Sequence, residues 1–342
     1  MSQPETTLVK DIGEKGLLER LQQFCPSEVV GDDAAVVTTQ PGKLLVVTTD
    51  MLVDKVHFSD RTTSFEDAGW RATAANLSDL AAMGATPLGI TVALGVPGDT
   101  PVNSIERLYE GITQCLQKFN TFVIGGDVCR SPVITISITA FGEVHPEHII
   151  RRSTAQVGDA IVVTGIHGAA RAGLELLLQP EFRQGFSNSA QQKLIQAHQR
   201  PQPRLDVLPI LWEVVSQFQL TTENHGITHV AGMDSSDGLA DAIIQLCQMS
   251  QVGAKIEPSR IPLADELKAW SSPKALEWAL YGGEDFELVL CLPLAVAQVF
   301  VQRLGNAAAV IGEIIDESRV YLIDKTGNPD EVLSLNRGFQ HF

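Results

Sequence analysis

The sequence predicts an α/β protein of the α+β kind, built as two domains, and three observations carry that expectation. Helical and strand patterns are mixed, and some strands follow directly on others, so antiparallel pairing is expected rather than a doubly wound sheet. A length of 342 residues suits two domains. A polar stretch from Gly142 to Arg152, with a turn at His145-Pro146, separates two comparable βα units. The expected domains are therefore residues 1–150 and 151–342. With 44% hydrophobic residues, both have ample core.

Along the chain, Lys43 to Thr49 is a β-branched apolar run that reads as a strand leading into Asp50. Glu66 to Met83 reads as a helix, with Trp70, Ala74, Leu77 and Ala81 at helical spacing and Gly84 as its stop. Asn76, Asp79 and Met83 form an adjacent stripe, which puts Asp79 near the buried face, an unusual place for a carboxylate. Pro87 to Val96 is expected to be a strand. Thr100-Pro101 opens a helix to Phe119, with Thr as N-cap and Pro first. Thr121 to Ile124 reads as a strand ending at Gly125-Gly126-Asp127. Val133 to Phe141 alternates, with Ile134, Ile136 and Ile138 on one side, as a half-buried strand does.

In the second unit Ala160 to Val163 is a strand, and Gly165 and Gly168 lead into a helix to about Leu178. Gln179 to Gln202 is polar and reads as variable in conformation. Leu205 to Phe218 is helical. His229 to Met233 is a strand, followed by a turn at Asp234 to Gly238 and a helix to Met249. Phe286 to Leu292, Ala309 to Ile315 and Val320 to Ile323 are further strands.

Composition excludes several classes. The net charge of −16, with no run of five Lys or Arg, argues against a nucleic-acid or anionic-membrane surface. Five scattered cysteines without a Cys-x-x-Cys read as reduced thiols in the cytoplasm. No signal peptide is expected from Met1-Ser2-Gln3-Pro4-Glu5, and no apolar stretch approaches a membrane span.

Carboxylates recur at the ends of apolar runs beside Gly, Ser or Thr: Gly31-Asp32-Asp33, Thr48-Thr49-Asp50, Ser78-Asp79, Gly125-Gly126-Asp127, Asp234-Ser235-Ser236-Asp237-Gly238 and Gly282-Gly283-Glu284-Asp285. Each alone has a plain reading: a solvated turn at Asp32-Asp33, an N-cap at Asp50, simple capping at Asp234 to Gly238. Converging carboxylates, however, need cations, and hard oxygen donors select Mg²⁺. There is no Gly-x-x-x-x-Gly-Lys-Ser/Thr loop and no Gly-x-Gly-x-x-Gly after a strand. Phosphates would then be held through Mg²⁺, which points to phosphate transfer.

Taken in order, these segments resemble the thiamine-monophosphate kinases from about Gly31 to Phe342. The matching runs include Gly31-Asp-Asp-Ala-Ala, Thr48-Thr-Asp-Met-Leu-Val, His57-Phe58, Asn76-Leu-Ser-Asp-Leu-Ala-Ala-Met-Gly-Ala, Gly125-Gly-Asp, Arg152-Ser153, Val163-Thr-Gly165, Pro203-Arg204, Asp234-Ser-Ser-Asp-Gly-Leu and Gly282-Gly-Glu-Asp-Phe-Glu-Leu288. Thr154 and Ser235 depart from the usual pattern. The wider superfamily includes aminoimidazole ribonucleotide synthetase and selenophosphate synthetase. The resemblance implies an N-terminal domain whose strands help build a dimer barrel, a C-terminal domain, and an ATP cleft between them. It implies ATP-dependent phosphorylation of thiamine monophosphate to thiamine diphosphate by a cytoplasmic homodimer.

By position, the resemblance implies Mg²⁺ ligands at Asp33, Thr48, Thr49, Asp50, Asp79, Asp127, Asp234 and Asp237. It implies ATP contacts at Tyr109, Gly126, Asp127, Arg152 and Ser236, and substrate contacts at His57, Glu284 and Phe339. Asp50, Asp79 and Asp127 would carry the transfer. Two other readings compete: another ATP-using member of the superfamily, or a nucleotide- and metal-binding regulator without turnover. Cys25, in Phe24-Cys25-Pro26, does not sit in the Gly-rich loop that selenophosphate synthesis wants.

Overall fold

The computed structural model describes residues 6–26, 34–221, 229–270, 272–305, 308–324 and 326–338. Asp33 and Phe339 lie outside them. The chain divides into two compact units, Met1–Leu80 with Ala85–Pro146, and Ala81–Gly84 with Glu147–Phe342. No helix among the described residues is long and apolar enough to cross a membrane.

The first unit runs α1 (Val9–Leu21), β1 (Leu44–Val53), α2 (Phe65–Ala82), β2 (Thr86–Val96), α3 (Val102–Gln117), β3 (Val123–Arg130) and β4 (Thr135–Val144). Its sheet has the order β1-β4-β2-β3, with β4 antiparallel to both neighbours and β2 parallel to β3. Register sorts the side chains by face. Asp50, Ile138, Val92 and Gly126 share one row, and Leu52, Ile136, Leu94 and Val128 the next on the same face. The opposite face carries the rows Thr49-Thr139-Thr91-Gly125 and Met51-Ser137-Ala93-Asp127. Ile136, Ile138, Val92 and Ile90 are fully buried, each contributing about 1.5–3 kcal/mol. Helix α2 is buried on most sides and crosses α3 closely. A Cβ at Gly69 would stand 2.0 Å from the Leu108 carbonyl oxygen, and one at Gly111 1.8 Å from that of Glu66.

The second unit contains β5 (Asp159–Val163), α4 (Ala169–Leu178), α5 (Asn188–Gln199), α6 (Leu208–Thr221), β6 (Ala231–Asp234), α7 (Leu239–Ser250), β7 (Gly253–Ile256), α8 (Asp265–Trp270), α9 (Pro273–Tyr281), β8 (Leu288–Pro293), α10 (Leu294–Leu304), β9 (Ala309–Ile315), β10 (Val320–Ile323) and β11 (Pro329–Val332). Its seven-stranded sheet has the order β11-β10-β7-β9-β5-β8-β6, mostly antiparallel. One core lies between this sheet and α7. A second, aromatic core joins α4, α5, α8 and α9, where Trp270 stacks on Trp278 at 5.1 Å and Phe182 meets both edge-on.

The expected α+β class and the helix from Phe65 to Ala82 stand, and Gly84 adopts φ +74 as a helix stop requires. Four local expectations do not. Asp50 lies inside β1, not at its exit, because Met51, Leu52 and Val53 continue the pairing with β4. Gly125-Gly126-Asp127 likewise lies within β3. Thr100 does not cap α3; Pro101 occupies that position, with no side-chain cap, and the Val102 amide donates to the Thr7 carbonyl. The polar stretch after Gln179 holds a full helix, α5, capped by the Ser187 hydroxyl and anchored by buried Leu194 and His198.

Candidate active site

In the first unit the carboxylates gather where β1 meets α2. Thr48 and Asp50 are two apart on one strand, so both side chains turn toward α2. The Thr48 hydroxyl donates to Asp79 Oδ2 at 2.5 Å. The Asp50 amide donates to Asn76 Oδ1 at 3.1 Å, and the Asn76 amide group donates in turn to the Ala72 carbonyl at 2.9 Å. Asn76 and Asp79 are three apart, and so lie side by side on the helix surface. Burial pushes the Asp50 carboxyl up from its ordinary range, and nearby His57 pulls it partly back. Such a group gains from a cation. His57 accepts a hydrogen bond from the Val53 amide at Nδ1, 3.0 Å, which leaves Nε2 as its protonated edge.

Thr49 and Asp127 stand apart from this cluster. Thr49 points to the opposite face by strand alternation, donating to the Ile138 carbonyl at 2.9 Å. Asp127 also faces that side, on the far edge strand, three strand spacings of roughly 4.8 Å from β1. It lines instead a cavity of about 710 Å³ with Leu21, Thr91, Tyr109, Gly126 and Phe141. Tyr109 is buried, with its ring 5.7 Å from that of Phe24, and burial raises its hydroxyl pKa far above the usual value. Gly126 has a structural reason as well: a Cβ there would stand 2.2 Å from the Val92 carbonyl oxygen.

In the second unit Asp234 ends β6 and the chain turns through Ser235 to Gly238 into α7. The turn is set by the Ser235 amide donating to the Glu287 carbonyl, and by Gly238 at φ +113. Ser236 Oγ donates to Asp234 Oδ1 at 3.3 Å. Arg152 is aimed by a relay: its Nη1 donates to Gln245 Oε1 at 2.7 Å, and Gln245 Nε2 donates to Asp241 Oδ2 at 2.5 Å. Burial and the Asp237 charge raise the Asp241 carboxyl, against the Gln245 hydrogen bond and Arg152. Sequence reading missed Asp241, although its spacing of four from Gln245 on α7 signals a shared helix face.

The acidic run Glu284-Asp285-Phe286-Glu287 docks on the same turn. The Glu284 amide donates to the Ser236 carbonyl at 2.7 Å, and Gly283 is required there because a Cβ would lie 2.4 Å from that oxygen. Three carboxylates in four residues are kept apart by distinct partners. Asp285 accepts from the Gly168 and Ala170 amides at 2.6 and 2.9 Å, at the N-terminus of α4. Glu287 accepts from Arg204 Nη1 and from the Thr164 hydroxyl, both at 2.6 Å. Glu284 lies 3.3 Å from Nδ1 of His198, a residue the sequence reading also missed. Burial raises the Asp285 carboxyl to about 7, despite its two amide hydrogen bonds.

Among the described residues, no three Asp, Glu, His or Cys side chains stand close enough to hold a metal alone. The donors present still fit Mg²⁺, which commonly takes one or two carboxylates and completes its shell with water and phosphate. Thr48 and Asp79 form one pair of oxygen donors, with Asp50 two residues along β1 on the same face; Asp234 and Ser236 form another pair.

The family models for AIR synthase related protein match both parts of the chain, the N-terminal domain at residues 31–144 and the C-terminal domain at 156–325. The chain is 49% identical to a thiamine-monophosphate kinase of Synechococcus elongatus, over 98% of each protein. It resembles the crystal structure of thiamine-monophosphate kinase from Stenotrophomonas maltophilia, with 30% identity and a TM-score of 0.74, over 92% of this chain and 96% of that one. It also resembles AaThiL complexed with AMPPCP and TMP, with 31% identity and a TM-score of 0.70, over 96% and 99%.

Proposed function

The chain belongs to the thiamine-monophosphate kinase family of AIR synthase related proteins, and from that premise we propose how its residues serve the reaction. The protein is a kinase that uses ATP to phosphorylate thiamine monophosphate, giving thiamine diphosphate. The observation that carries the residue-level reading is the Thr48-Asp79-Asp50 cluster, a partly buried set of oxygen donors in need of a cation.

The acceptor is a phosphate monoester with a second pKa of about 6, so it attacks without a general base. The task left to the protein is to bring two polyanions into line. Thr48, Asp50 and Asp79 would hold Mg²⁺ in the first unit, with Asp234 and Asp237 in the second; Asp33 joins this proposal from the family pattern, whereas the Thr49 hydroxyl faces the other side of β1. The ion would neutralise phosphate charge and hold the transferring group in line. Tyr109, Gly126 and Asp127 line a cavity within the usual range for a small-molecule site, about 300–1,000 Å³, and it is proposed for the nucleotide. Arg152, held by Gln245, and Ser236 are assigned to ATP phosphates. His57, Glu284 and Phe339 are assigned to the acceptor, whose cationic ring suits a carboxylate and an aromatic face.

We further propose that two copies associate through the open face of the first sheet. Leu45, Val47 and Met51 of β1 are about half exposed there, at 52%, 54% and 52%, which is unusual for neighbouring apolar side chains on a strand.

A turnover assay with ATP and Mg²⁺ tests the reading. Thiamine monophosphate should be converted, chelation should stop the reaction, and unphosphorylated thiamine should be a poor acceptor because its hydroxyl needs a base. Equal turnover of the two acceptors would refute it.

A further inference from the structure

Of the three carboxylates in Glu284-Asp285-Phe286-Glu287, two are spent on the protein: Asp285 on the α4 amides and Glu287 on Arg204. Glu284 is different. Its side chain is 34% exposed, whereas the His198 ring beside it is 1% exposed. One edge of its carboxylate therefore meets a buried imidazole.

Holding it there requires force. Glu284 and Phe286 both have positive φ, +70 and +52, a conformation that side chains with a Cβ adopt only when their surroundings impose it. The surroundings do so from three sides. Asp285, between the two strained residues, is bonded to the first turn of α4. His198 reaches Glu284 from α5, which packs on α4 at Gly173, where a Cβ would stand 3.0 Å from His198 Cβ. Helix α9 feeds directly into Gly282-Gly283, and Gly283 sits against the Ser236 carbonyl. Helices α4, α5, α8 and α9 share the aromatic core around Trp270 and Trp278.

We propose that His198 and Asp285 are positioning residues that aim Glu284 at the cationic ring of the acceptor, so that this helical group sets acceptor specificity. The proposal rests on the reading that Glu284 contacts the acceptor.

The test is steady-state kinetics on the full chain with Mg²⁺, varying thiamine monophosphate and ATP separately. Glu284→Gln should raise KM for thiamine monophosphate about 10-fold while KM for ATP stays within about 2-fold. His198→Gln and Asp285→Asn should each raise it about 5-fold with kcat little changed. His198→Asn, whose amide nitrogen stands where Nδ1 does, should stay within about 2-fold of the native protein. The double variant His198→Gln/Glu284→Gln should be no worse than Glu284→Gln, because both remove one interaction. Multiplying effects in the double variant, equal damage from His198→Asn and His198→Gln, or a parallel rise in both KM values would overturn the positioning role. An unchanged KM in Glu284→Gln would instead refute the acceptor role of Glu284, and the proposal with it. Should His198→Gln fail to fold, Asp285→Asn carries the same expectation, and a parallel rise of both KM values there overturns it.

Discussion

Asp79 gains its place from two short-range facts: α2 lies against β1, and Thr48 two residues before Asp50 presents a hydroxyl at hydrogen-bonding distance. Asp79→Asn keeps the shape and one acceptor oxygen but removes the charge. Turnover should fall by roughly 100-fold or more, the scale seen when preorganised charge stabilisation is lost, while the melting temperature changes little. Near-normal turnover at saturating Mg²⁺ would make the residue structural. The same scale explains why Thr49 and Thr48 differ although they are neighbours with identical chemistry. Strand alternation sends one hydroxyl to Asp79 and the other to the Ile138 carbonyl.

At the scale of elements, glycines and a capped helix set the geometry. Gly126→Ala places a Cβ against the Val92 carbonyl, and strand β3 must shift away from β2 to admit it. The expected cost is about 1–3 kcal/mol, read as a lower urea midpoint, together with weaker ATP binding from the adjoining cavity. Unchanged stability would show that β3 yields freely. Asp285, with its carboxyl raised to about 7 by burial, gives a pH signature. A carboxyl whose folded pKa exceeds the unfolded one takes up a proton on folding. Its contribution is full below the ordinary aspartate range, and it is lost as pH rises through about 7. Native stability should therefore decline from about pH 4 to about pH 7 more steeply than that of Asp285→Asn. Parallel urea-midpoint profiles for the two proteins would contradict this.

For the whole molecule, the acidic surface and the uncovered apolar strand pull in opposite directions. A net charge of −16 opposes self-association, whereas Leu45, Val47 and Met51 favour it. The proposed homodimer should appear as twice the 37.0 kDa chain mass in light scattering. Val47→Glu with Met51→Glu should give a monomer that keeps its helical signal by circular dichroism. A monomeric native protein at micromolar concentration would rule the dimer out.

The sequence by itself determined the class of the fold, most of its strands and its longest helices, because their apolar periodicity is local and strong. Phe65–Ala82 and the alternating strand through Ile136 and Ile138 are examples. It also marked the acidic segments, since a carboxylate beside glycine or threonine near an apolar run is visible in one dimension, although Asp50 and Asp127 lie inside strands rather than at their exits. What it could not contain was which of these meet. Thr48 meets Asp79 and the Asp50 amide meets Asn76 because α2 lies against β1, and Asp127 does not join them because register sends it to the other face of the other edge strand. His198 was invisible for the same reason, since it gains its meaning from Glu284 across 86 positions, whereas Asp241, a helix turn from Gln245, left a local signal. Side-chain periodicity is a property of the chain. The convergence of charges depends on how helices and strands pack, and only the tertiary structure decides that.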